Sequence, residues 1–286
     1  MGKGKVKNFF KTVKEHITTI LQGFVIGGTM LVPGVSGGTT AMILGIYDKL
    51  LSAVGSFTKD IKKNIMFLLF MALGGGLGLV LMASPMEWII DKFPNPALFF
   101  FIGAIAGGIP VIVKESTIKK FSWKIPLDII IGVVIVLAMR FIPAMDGFEK
   151  GSFVYYLVLL CTSMIVAVAL VLPGISTSHM LLVLGMYEPF LAAAKSLDLS
   201  FLLPLGIGVI IGIFLTTKVL DLAMSKFPKR VYMIILGFVA GSIYEVCTEM
   251  EHSVLLKQLP ICIITFAAGF CVFWFLSRLE SKHEKK

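Results

Sequence analysis

Charge is scarce in this chain. Asp, Glu, Lys and Arg make up 15% of its 286 residues, against about 25% in an ordinary soluble domain. Too few charges exist to coat a soluble surface of this size. Cysteine is also scarce: Cys161, Cys247, Cys262 and Cys271 are scattered with no paired spacing. That excludes a disulfide framework and a thiolate metal site. No small-residue cleavage motif follows the basic N-terminal stretch Lys3 to Lys14, so no cleaved signal is expected. The net charge of +9 raises the question of nucleic acid. The basic residues lie between apolar runs, as loop charges do in membrane proteins, and no nucleic-acid partner is expected.

What the chain has instead is apolar length. It is 57% hydrophobic, with a mean hydropathy of +0.94. Several runs approach the about 20 residues that cross a bilayer. Only helices satisfy their own backbone in lipid at this composition, so the expected class is an all-α integral membrane protein. Apolar segments are read at about 17–32, 39–55, 65–83, 97–113 and 126–142. A polar link occupies 143–152. Five more segments follow at about 153–172, 180–194, 201–222, 231–246 and 259–277, with a polar tail at 280–286. The reading is one transmembrane domain, 1–286, with a first repeat at 17–142 and a second at 153–279.

The repeat is visible residue by residue. At an offset of 140, Pro33-Gly34 meets Pro173-Gly174, Ser36 meets Ser176, and Leu44-Gly45 with Tyr47 meets Leu184-Gly185 with Tyr187. At an offset of 134, Gly74 meets Gly208, Gly78 meets Gly212, and Lys92-Phe93-Pro94 meets Lys226-Phe227-Pro228. Five segments per half is an odd number, so the second half enters the membrane from the opposite side. With the N-terminus cytoplasmic, 20 of the 26 basic residues fall on the inner side and five on the outer; Lys49 lies beside the first inner loop. That is the positive-inside pattern, and it places both termini in the cytoplasm. The first two segments of each half either cross fully or meet at mid-depth as a re-entrant hairpin. Charge does not separate these; the favoured reading is two hairpins from opposite faces.

Each hairpin would turn at a break built for bare backbone. The first runs through Pro33, Gly34, Val35, Ser36, Gly37, Gly38, Thr39 and Thr40; the second through Pro173, Gly174, Ile175, Ser176, Thr177, Ser178 and His179. Proline ends a helix, glycine lets a ligand approach the main chain, and Ser and Thr cap the next helix. Two opposed helix starts offer N–H groups to an anion without a fixed lysine. Gly34 to Thr40 and Gly174 to His179 are therefore the candidate phosphate-binding residues. A kink that only aids packing is the plain alternative. Arg140 is a further candidate, as a phosphate clamp or as a side chain reaching the interface. His179, Asp48 and Glu188 are candidates for coupling a proton or ion. The first break is expected to work through backbone, the second through side chains. No catalytic residue, cofactor or metal is expected.

The two breaks, with Leu184-Gly185-Met186-Tyr187, resemble the signatures of the bacterial PopT-type polyprenyl-phosphate transporters, and the resemblance spans nearly the whole chain. Thr177 stands where that family usually has glycine. The resemblance implies a bacterial cytoplasmic-membrane protein that moves undecaprenyl phosphate from the outer to the inner leaflet, recycling the lipid carrier of cell-wall synthesis. Its partners would be that polyprenyl phosphate and membrane lipids, with a homo-oligomer left open. The rivals are an undecaprenyl-diphosphate phosphatase-like enzyme, whose first segment Gln22-Gly23 resembles, and a small-anion channel or exporter. The phosphatase needs carboxylates and an arginine beside the serine, and Phe24, Val25, Ile26, Gly37 and Thr177 hold those places here.

Overall fold

The computed structural model describes residues 3–31, 35–116, 118, 122–142, 150–248 and 252–283. Pro33 and Gly34 of the first break, most of the 143–152 link, and Glu249 and Glu251 lie outside the described residues, as does the side chain of Arg140. Among the described residues every regular element is helical. The first half comprises α1 (Lys3–Thr29), α2 (Gly37–Ile43), α3 (Tyr47–Gly55), α4 (Ile61–Lys92), α5 (Pro94–Glu115) and α6 (Lys124–Ala138). The second comprises α7 (Phe153–Val171), α8 (Thr177–Val183), α9 (Tyr187–Ser196), α10 (Leu199–Lys226), α11 (Pro228–Thr248) and α12 (His252–His283). Among the described residues six helices contain stretches long and apolar enough to cross a membrane: α4, α5, α7, α10, α11 and Lys257–Phe275 of α12. Their outward faces are greasy, with Leu69 63%, Val80 75% and Val219 68% exposed. Water would penalise such surface; lipid does not.

The second apolar segment of each half is two helices instead of one. Gly45 (φ 68°) and Gly185 (φ 67°) are the reason. The N–H groups of Gly45 and Ile46 return to Met42 and Ala41 carbonyls, and those of Gly185 and Met186 return to Leu182 and Leu181. This paired closure needs a left-handed residue that glycine adopts without strain. The Lys-Phe-Pro tripeptides are helix stops and starts. Phe93 (φ −137°, ψ 59°) separates α4 from α5, and Phe227 (φ −133°, ψ 49°) separates α10 from α11. Proline then opens the next helix, where its missing N–H costs nothing.

The two halves pack alike. α1 lies along α4 and α7 along α10; α5 lies along α12 and α11 along α6. Glycines bring these pairs to backbone contact. Gly74 abuts the Ile20 carbonyl as Gly208 abuts that of Leu160, and Gly78 abuts Phe24 as Gly212 abuts Met164. Gly103 meets Phe266 as Gly237 meets Ile129. A helical glycine costs about 1 kcal/mol relative to alanine; close contact between helices offsets that cost in lipid. Because α5 and α11 each pair with a helix of the other half, the halves are interlocked.

Candidate functional site

The two breaks touch. Ser36 and Ser176 cap α2 and α8, accepting hydrogen bonds from Gly38 N–H (3.2 Å) and His179 N–H (3.3 Å). Gly174, at φ 82°, donates its N–H to Thr39 Oγ1 at 2.6 Å. Tyr47 Oη donates to the Val171 carbonyl at 2.8 Å, and Ser36 Oγ to that of Leu172 at 3.4 Å. Thr40 Oγ1 is engaged by Thr29 Oγ1 at 2.9 Å, which ties α2 to α1. Ser36, Thr39, Thr40 and Ser176 are all buried. The first break supplies side-chain hydroxyls, and the second supplies bare backbone where α7 has ended and its last carbonyls lack helical partners.

The second break lies half-way along α11, where Gly174 sits against the backbone of Phe238 and Val239. A groove of about 270 Å³ passes beside α2. Its wall includes Gly27, Gly37, Gly38, Tyr47, Met71 and Ile213, and is almost wholly apolar. Met71 lies 10 residues into α4, about 15 Å along a helix about 48 Å long. The groove therefore brings an apolar channel to the start of α2.

The candidate residues are not all gathered there. Val35 and Ile175 are buried beside the caps, and Thr177 and Ser178 begin α8 half-buried. His179 faces α11: its Nε2 lies 3.5 Å from Glu245 Oε1, outside hydrogen-bond geometry, and has no hydrogen-bond partner among the described residues. Asp48 lies apart, accepting from Tyr232 Oη at 3.2 Å. Glu188 is exposed at the start of α9. Arg140 falls in a short 3₁₀ turn, Met139–Phe141, after α6.

Sequence reading missed two buried carboxylates. Glu245, at the end of the apolar segment read at 231–246, is inside α11 and 5% exposed. Asp128 is 2% exposed on α6. It binds Arg230 of α11 with both nitrogens of the fork, Nη2 at 3.0 Å and Nε at 3.2 Å. An acid inside an apolar run was the available signal for Asp128, because lipid tolerates one only with a partner.

These elements define a multi-pass helical membrane protein whose two similarly packed halves meet at a pair of helix breaks. The chain belongs to the VCA0040-like family, described as undecaprenyl phosphate translocase-like, which matches residues 26–259. It is 30% identical over 281 residues to the polyprenyl-phosphate transporter of Staphylococcus aureus (strain NCTC 8325 / PS 47), covering 93% of this chain and 97% of that protein. It is 28% identical over 250 residues to the polyprenyl-phosphate transporter of Vibrio cholerae serotype O1 (strain ATCC 39315 / El Tor Inaba N16961), covering 81% and 78%. No solved structure matches the chain.

Proposed function

We propose that this protein is a transporter of polyprenyl phosphate that works by alternating access. The observation that carries the reading is the hydrogen bond from Gly174 to Thr39, which closes the two breaks on each other, beside an apolar groove whose wall includes Gly37 and Gly38. The phosphate head replaces that contact. It is held by the N–H groups and hydroxyls of the two breaks, with His179 at its edge, and the isoprenoid tail stays in the groove and the surrounding lipid. Helix starts hold an anion without a fixed cation, so release stays easy. The matched pairing of α1–α4 with α7–α10 supports two halves related by an axis in the membrane plane. The sequence expectation makes each hairpin from the first two segments of a half; because α7 is long enough to cross, we narrow the re-entrant part to α2–α3 and α8–α9, whose helices of 7 to 10 residues fall far short of the about 20 needed to cross. Rocking the halves exposes the site to each leaflet in turn. The family and both relatives support the substrate. The direction is outer to inner leaflet of a bacterial cytoplasmic membrane, returning the carrier for cell-envelope synthesis, with no hydrolysis.

Reconstitution of the full chain into liposomes with labelled polyprenyl phosphate tests this. Transfer of the label between leaflets is expected. An unchanged leaflet distribution, with phosphate released from the diphosphate form, overturns it in favour of an enzyme. Pairing Ser36→Ala with Ser176→Ala is expected to weaken lipid binding; unaffected binding would leave the breaks as packing kinks.

A further inference from the structure

A second cavity, of about 630 Å³, lies on the far side of α3 from the apolar groove. Its wall carries His16 of α1, Lys49 of α3, and Lys59, Lys62 and Lys63 around the start of α4, with the carboxylates Glu15 and Asp60. Four lysines against two acids leave the cavity cationic. None of the four lies within ion-pair distance of a carboxylate among the described residues. Lys49 Nζ is instead packed over the Phe67 ring, 4.3 Å from its centre. Asp60 is committed to capping α4 through the Lys63 N–H.

An apolar strip adjoins this cavity. Lys62 and Met66 line both it and a shallow surface formed with Ile61, Ile65 and Leu69 of α4. Leu69 is 63% exposed and Ile61 50%. A cationic pocket continuous with an exposed greasy strip fits an amphiphile with an anionic head, better than a free ion. The other half lacks the pocket's charge. Asp198 caps α10 as Asp60 caps α4. In that register Lys59, Lys62 and Lys63 correspond to Leu197, Ser200 and Phe201, and Lys49 corresponds to Pro189 at the repeat offset. Lys195 is the one basic residue on that turn, and its side chain lies outside the described residues.

We propose that this one-sided vestibule is a second phosphate-monoester site, which holds the head of the transported lipid at the membrane face where α4 begins. It rests on the transport reading above. It supplies what the two similar breaks do not, a difference between the two faces. The head leaves the breaks, passes the end of α3 and is caught by the lysines while the tail lies on Ile61, Ile65 and Leu69.

The test is binding to the full chain in nanodiscs, with farnesyl phosphate as probe. The triple variant K59Q/K62Q/K63Q is expected to bind about tenfold or more weakly, and high salt to erase the difference. K62R/K63R is expected to retain binding. Lys92→Gln, at the other end of α4, controls for net charge and is expected to bind as the parent does. Unchanged affinity in the triple variant overturns the vestibule. So does equal binding of inorganic phosphate, or of phosphatidylglycerol vesicles, at the same site. Failure of the unmodified protein to move polyprenyl phosphate sinks the transport reading itself. Transport intact in the parent, with parent-like binding in the triple variant, sinks only the vestibule.

Discussion

Thr39 Oγ1 accepts the Gly174 N–H at 2.6 Å, across 135 residues of chain, and both groups are buried. With the Tyr47–Val171 and Ser36–Leu172 hydrogen bonds, it joins the two halves at their breaks. Thr39→Val keeps the shape and removes the acceptor. A buried N–H left unpaired costs about 1–3 kcal/mol. Thermal unfolding in detergent is expected to show a clear loss of stability, and Thr39→Ser to restore most of it. Equal stability of the Val and Ser variants would mean that the bond contributes nothing.

Gly174 and Gly151 both hold positive φ, 82° and 89°. They differ in space. A Cβ on Gly174 would lie 2.5 Å from the Phe238 and Val239 backbone, whereas one on Gly151 meets nothing within 4 Å. Gly151→Ala therefore carries only the left-handed penalty, about 1–2 kcal/mol. Gly174→Ala is expected to be much worse, with low yield of folded protein by size-exclusion chromatography. Similar yields for the two would show that α7, α8 and α11 yield easily.

His179 and Glu245 approach to 3.5 Å from α8 and α11. If the pair positions the second break, His179→Gln and Glu245→Gln are coupled. A double-mutant cycle on transport rate is expected to show an interaction of at least about 0.5 kcal/mol. Strict additivity would make the two residues independent.

The groove beside α3 gives a chain-length test. Val54 lines it and is half-buried. Val54→Trp is expected to fill it and slow transport of a long polyprenyl phosphate more than that of farnesyl phosphate, with little change in stability. Equal slowing of both would point to a route for the tail outside the groove.

Arg230 grips Asp128 with two nitrogens, docking α11 on α6. Lysine offers a point charge instead of a fork. Arg230→Lys is expected to loosen the pair, read as faster limited proteolysis at the ends of α6. A cleavage rate equal to the parent's would show that one bond suffices.

The ten apolar segments were legible because lipid demands long greasy runs, and the repeat was legible because glycines recur where helices touch. The Lys-Phe-Pro pairs and the Gly45/Gly185 match were visible as sequence, yet their meaning as helix boundaries needed backbone angles. The serine caps of both breaks were predicted from residue type. Asp128 was marked by its place inside an apolar run, whereas Glu245 stands at the end of one, where burial depends on how far α11 continues and what packs against it.

The amino-acid sequence alone determined the membrane class, the two related halves and the two breaks, since composition, periodicity and glycine chemistry are local. Tertiary structure decided that α5 and α11 exchange partners between halves. It also decided that Thr39 meets Gly174, and that four lysines share one cavity. Those depend on which helices lie side by side, and that is set by close packing summed over the whole bundle.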